Sequence, residues 1–210
     1  MAVDIVIARY KEDLSWIYDL APHLPEDSQI FIYDKGKDYI PPEKNYNVTT
    51  FVRTLENVGN EAHTWLMHLA DMCKSPSFYN EATLFLQGNP FDHCSLYHIQ
   101  KAIEAVEDPM IDFQWITNRM SWDDRFAAQN HMGLRLEATY SAVFGYPAPD
   151  EGFTFGVGGQ FMVRDDHVFT RKQSFYLRAA KVVAYTYGRE HAPWCAFERF
   201  WDRLFTDKVL

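Results

Sequence analysis

In the first half of the chain, short apolar runs keep ending in residues that can hold charge. Ile5-Val-Ile-Ala-Arg9 ends in a guanidinium, and Gln29-Ile-Phe-Ile-Tyr-Asp34 ends in a carboxylate followed by Lys35. Asn47 to Val52 runs into Arg53, and Thr83-Leu-Phe-Leu-Gln87 runs into Gly88-Asn-Pro-Phe-Asp-His93. Arg9 and Arg53 offer planar forked donors of the kind that pair with phosphate oxygens. Asp34 is placed to accept hydrogen bonds from a base or ribose edge. Asn57-Val-Gly59-Asn60 reads as a turn and helix start, where free N–H groups favour an anion. His63 follows in the first helical turn, either as a ligand contact or as a half-buried packing residue.

Gln87 and Asn89 suit hydrogen bonds to a sugar or phosphate. Asp92 and His93 are candidate ligands for a divalent cation, although two ligands alone do not define a metal site. Further along, Asp150 and Glu151 are candidate general bases for a hydroxyl nucleophile. Gly156-Val-Gly-Gly159 lacks the phosphate-loop spacing and the Lys-Ser/Thr that follows it, so it reads as a close backbone approach before Gln160. The serine-hydrolase elbow G-x-S-x-G and the dinucleotide fingerprint G-x-G-x-x-G are both missing from the expected turns.

These side chains need a scaffold that gathers strand ends, and the periodicity supplies one. Strands are expected at 4–9, 29–33, 47–52, 82–86, 112–116 and 159–164. A helix opening at Glu12 and Asp13 carries Leu14, Ile17, Tyr18 and Ala21 on one face. Ala62, Trp65, Leu66, Leu69 and Cys73 form a second helical stripe, with His68 expected in solvent. Leu96, Ile99, Ile103 and Val106 form a third. Helices are also expected near 133–144, over 173–187 and over 196–205. Alternating strands and helices imply an α/β fold, a mostly parallel central sheet flanked by helices, with its site along the carboxyl edge. The 210 residues read as a single domain, with a nucleotide-binding half at 1–118 and an acceptor-side half at 119–210.

Bulk properties narrow the classes. A net charge of −9 argues against a nucleic-acid surface, while 47% hydrophobic and 16% aromatic residues supply a large core. The start of the chain lacks the basic and apolar pattern of a signal peptide, and no apolar run approaches the roughly 20 residues of a membrane span. The three cysteines match no zinc spacing, and a reducing, cytoplasmic setting is expected.

The order of these motifs resembles a glycosyltransferase-like family of little-characterised proteins and, more distantly, nucleotide-sugar glycosyltransferases of the GT-A fold. The resemblance rests on Ile5 to Trp16, Ile32 to Gly36, Asn57 to His63, Phe85 to His93 and Gly159 to Arg164. It implies a single GT-A-like (Rossmann-like) domain that moves a sugar from a nucleotide-sugar, expected to be a UDP-sugar, to a hydroxyl acceptor. It places Asp34 at the base, Asn57 and Gly59 beside the nucleotide, and Gly159 and Gln160 near the acceptor. It also implies a divalent metal, manganese or magnesium, at the end of the fourth strand. There the usual Asp-x-Asp reads Gln-Gly-Asn-Pro-Phe-Asp, leaving Asp92 as the substitute. Two other readings stay open: a non-catalytic nucleotide or sugar-binding module of the same fold, and a metal-dependent hydrolase using Asp92, His93 and another histidine.

Overall fold

The computed structural model describes residues 1–40, 46–184 and 193–206. Its strands are β1 (Asp4–Arg9), β2 (Gln29–Asp34), β3 (Thr49–Thr54), β4 (Ala82–Gln87), β5 (Phe113–Trp115), β6 (Met120–Asp123), β7 (Phe153–Gly156) and β8 (Phe161–Arg164). Its helices are α1 (Ile17–Leu20), α2 (Asn60–Lys74), α3 (Leu96–Ala105), α4 (Leu136–Phe144), α5 (Asp165–Val168), α6 (Gln173–Ala184), α7 (Pro193–Phe197) and α8 (Arg203–Thr206). Six strands form one sheet in the order β3-β2-β1-β4-β8-β5, and β6 and β7 form a separate antiparallel ribbon. The β1–β2, β2–β3 and β1–β4 pairs are parallel, and β8 runs antiparallel to both its neighbours. The result is an α/β protein with a mostly parallel six-stranded mixed sheet flanked by helices.

The central strands are apolar at nearly every position because both sheet faces are covered. Side chains alternate between two cores, as the strand period of two requires. Val6, Phe31, Phe85, Phe161 and Val163 share one core with Trp65 and Leu69 of α2 and Trp201 near the end of the chain. Ile5, Ile7, Ile30, Ile32, Leu84, Leu86 and Met162 share the other with Ile17 of α1 and Ile99 and Ile103 of α3. Trp65 is fully buried and meets Phe85, Phe161 and Trp201 at centroid distances of 6.0, 5.7 and 5.4 Å. Such tilted and edge contacts fix ring geometry as well as burying area.

Several expectations need correcting. Glu12 and Asp13 do not open a helix. Glu12 folds back to accept the Tyr10 and Lys11 N–H groups, and Asp13 accepts the Ser15 N–H, so α1 shrinks to Ile17–Leu20 with a 3₁₀ turn over Ala21–His23. Local carboxylate-to-backbone bonds of this kind compete with helix formation. The expected closing helix over 196–205 is two short helices, α7 and α8, joined by a turn. Arg199 in that turn reaches back to Asp123 at 2.9 Å. Its apolar residues Phe197, Phe200, Trp201, Leu204 and Phe205 are all buried as their spacing suggested. The helix expected over 173–187 is α6, and 185–187 lie outside the described residues. His68 is fully buried rather than solvated. Its Nδ1 lies 2.9 Å from the Tyr33 hydroxyl, and its ring packs against Phe31, Tyr79 and Phe85.

Candidate functional site

The sheet order puts a switch point between β1 and β4. The chain steps from β1 through β2 to β3 on one side, then returns to place β4 on the other side of β1. Loops at the carboxyl ends of such a pair diverge and leave a crevice. A cavity of about 570 Å³ lies there. Arg9 and Tyr10 border it from β1, Gln87, Gly88 and Asn89 from β4, and Lys35 from β2. Asn57, Asn60 and Glu61 close it from the start of α2. Glu12 and Asp92 complete its acidic side.

The start of α2 is shaped by its backbone. Gly59 has φ +58°, and α2 has no side-chain cap at its first turn. A Cβ on Gly59 would sit 2.9 Å from the His63 Cβ and 3.0 Å from the Val183 carbonyl oxygen. Lys35 is nearly buried and its Nζ donates to the carbonyls of Val58 (2.6 Å) and Asn60, which ties β2 to this turn. Burial lowers its pKa to about 8, partly offset by the Glu61 carboxylate. His63 is half-buried with Nδ1 unpartnered among the described residues. Burial, together with Lys35, lowers its pKa to about 4, so the ring is neutral at pH 7. It packs beside the cavity rather than lining it.

Other candidates are already engaged by neighbouring groups. Arg9 is buried, and its Nη1 donates to Asp34 and to Asp38, both at 2.8 Å, while its Nε donates to the Glu12 carbonyl. Asp34 also accepts from the Gly36 and Tyr39 N–H groups, so its two oxygens organise the loop after β2. Gln160 is fully buried: its Oε1 accepts the Gln87 N–H at 3.0 Å, and its Nε2 donates to the Pro90 carbonyl at 3.2 Å. It locks the β4 loop and does not face the cavity, which corrects its expected place beside an acceptor. Gly159 likewise lies behind the wall, next to Trp201 and Glu198. Asn89 borders the cavity, with its Oδ1 accepting the Phe91 N–H and its Nδ2 3.3 Å from Asp92.

Three further expected placements fail. Arg53 does not join the cavity. It pairs with Asp71 at 2.7 Å and reaches the Tyr33 hydroxyl at 3.3 Å. Asp71 is eleven residues past Asn60, about 16 Å along the α2 axis from the turn that borders the cavity. Asp150 and Glu151 lie away from this cavity. They sit on the surface after α4, Asp150 paired with Arg125 at 2.5 Å and Glu151 3.6 Å from Arg203. Asp92 and His93 diverge, Asp92 facing the first cavity and His93 a second one. Among the described residues, no three His, Cys, Asp or Glu side chains group closely enough to hold a metal.

The second cavity, of about 370 Å³, was not foreseen in the sequence. It shares Asn60, Glu61 and Gln87 with the first, so the two compartments adjoin at the α2 start and the β4 end. The β6–β7 ribbon roofs it with Arg119, Ser121 and Phe155. Glu198 and Arg199 form its floor. The Glu198 Oε1 accepts the Gly158 N–H at 2.6 Å, and its Oε2 pairs with Arg199. Arg199 is buried with Asp123 and stacks 4.4 Å above the Phe155 ring. A Cβ on Gly158, at φ +92°, would sit 2.5 Å from the His93 ring, so the glycine lets that imidazole into the wall. Asn60, Gln87 and His93, named from the sequence, also line this compartment, whereas Glu198 stood out there only by its charge beside Arg199. Glu61 was also missed. Its signal was a carboxylate in the first turn of a helix that starts at the carboxyl edge.

Comparison with known protein families and with curated proteins finds no match to this chain. No helix among the described residues is long and apolar enough to cross a membrane.

Proposed function

We propose that this chain is a glycosyltransferase of the GT-A type that binds a nucleotide-sugar, a UDP-sugar first among them, and transfers its sugar to a hydroxyl acceptor. The observation that carries this reading is the polar cavity at the β1–β4 switch point, with an adjoining second cavity. Two substrates that must meet need two joined compartments. In this reading the first cavity holds the nucleoside diphosphate. Tyr10, 45% exposed at its mouth, offers a ring face to the base. Lys35 and the N–H groups opening α2 offset the diphosphate charge. The second cavity holds the acceptor.

The donor set of the first cavity would be the Asp92 carboxylate, beside Asn89 on the cavity wall, completed by substrate oxygens, which suits a hard divalent cation. Asp92 is the side chain that would hold manganese or magnesium there, and the ion would neutralise charge on the leaving diphosphate. His93 has no part in that set.

Titration calorimetry with UDP, UDP-sugars and other nucleotides, with and without manganese, tests the reading. UDP binding is expected, and Lys35→Met is expected to weaken it by about 1.5–3 kcal/mol, the scale of a charge-assisted hydrogen bond. A folded protein that binds none of the nucleotides overturns the reading. The absent Asp-x-Asp after β4 favours a second reading, a binding module without turnover. UDP binding without UDP release from any nucleotide-sugar would select it.

A further inference from the structure

We propose that Glu61 is the general base of this site, taking the proton from the attacking hydroxyl at the junction of the two cavities. The inference rests on the sugar-transfer reading above. Its geometry comes from elimination among the carboxylates at the junction. Glu61 borders both cavities, whereas Glu12 and Asp92 border the first and Glu198 the second. Glu12 is held by the N–H groups of Tyr10 and Lys11, Asp92 is held through Asn89, and Glu198 is held by Gly158 and Arg199. Glu61 accepts from its own backbone N–H and is half-buried in the first turn of a fifteen-residue helix, which gives its carboxylate a rigid mount.

The surroundings suit the role. Burial pushes the Glu61 carboxyl above its ordinary value, with Glu198 and Glu12 adding to the rise and Lys35 opposing it. A base is more effective when its pKa approaches the working pH.

The step balances without any further reagent. The acceptor oxygen forms a bond to the anomeric carbon as that carbon's bond to the diphosphate oxygen breaks. The bonding pair leaves on the nucleoside diphosphate, and the hydroxyl proton moves to a Glu61 carboxylate oxygen, from which water later removes it.

The test uses the full chain, UDP-glucose, UDP-galactose and UDP-N-acetylglucosamine, and two nucleophiles: water, which must lose a proton, and azide, which is already an anion. UDP release is followed for wild type, Glu61→Gln and Glu61→Asp, and UDP binding is measured in parallel. Compared at saturating UDP-sugar, Glu61→Gln is expected to lose about 100-fold or more in UDP release with water and to stay within about tenfold of wild type with azide. Glu61→Asp is expected to recover part of the water reaction. Equal losses with water and azide would make Glu61 a positioning residue and overturn the proposal. Unchanged rates with water would overturn it too, as would wild-type protein that binds UDP but releases none with either nucleophile. In those cases UDP binding still stands, whereas wild-type protein that binds no UDP removes the sugar-transfer reading itself.

Discussion

Arg9 and Arg53 carry the same guanidinium at the same kind of place, the end of a parallel strand, and their surroundings give them opposite prospects. Arg9 is buried between Asp34 and Asp38, its side chain 10% exposed and that of Asp34 5%. Removing it leaves a carboxylate in a low-dielectric site without its partner. Arg9→Ala is therefore expected to cost about 3–5 kcal/mol of stability, read by urea denaturation. Arg53 and Asp71 are 37% and 40% exposed, so Arg53→Ala should cost at most about 1 kcal/mol. It should also leave UDP affinity unchanged in titration; a large loss there would relocate the nucleotide to the α2 face. The sequence made both residue types legible as strand-end cations. It did not show their partners, because these depend on which sheet face a side chain takes and which turn of α2 passes over it. Lys35 shows the same limit in reverse: it was one of several basic residues in the sequence, and only the Val58 and Asn60 carbonyls distinguish it.

At the scale of elements, the site depends on how α2 begins. Gly59 turns the chain with a positive φ so that Asn57, Asn60 and Glu61 all face the cavity. Gly59→Ala must hold a Cβ in the left-handed region, at a cost of about 1–3 kcal/mol, and must also displace His63 or the Val183 backbone. The expected result is a lower melting temperature together with weaker UDP binding. Retained binding at wild-type affinity would show that this turn is not part of the nucleotide site. Long elements were readable because α2 and the four parallel strands each carry enough apolar positions for their period to show. The β6–β7 ribbon was not. Its strands have four residues each, they are separated by some thirty residues, and what orders them is the buried Asp123–Arg199 pair and the Phe155 ring under Arg199. That is tertiary information, and the second cavity went unread with it. The short α1 failed for a local reason, the carboxylates of Glu12 and Asp13 folding onto nearby N–H groups.

For the molecule as a whole, the covered central strands of the sheet leave ionisable groups in places where their protonation is tied to folding. Asp4 at the start of β1 is fully buried, and it accepts the Asn80 N–H at 3.0 Å and the Asn80 side-chain amide at 2.7 Å. Burial outweighs those hydrogen bonds and raises its pKa from 3.8 to about 6. Between those values the native state holds a proton that the unfolded chain has released, so this group makes stability fall as pH rises from about 4 to about 6. His68 acts in the opposite direction. Burial, with Arg53 adding to it, lowers its pKa from 6.5 to about 3, so below pH 6.5 the unfolded chain takes a proton the native state refuses. Its contribution is lost as pH falls through that window. Asp4→Asn removes only the first effect. The slope of unfolding free energy against pH, measured by urea denaturation from pH 4 to 6, should become more positive by up to about 1.4 kcal/mol per pH unit, one proton's worth. The change of slope is the decisive quantity, because an amide at position 4 also alters the hydrogen bonds to Asn80 and shifts stability at every pH alike. A variant with a slope parallel to wild type would mean that Asp4 titrates as it does in the unfolded chain, and that the edge of the sheet near Asn80 is open to water.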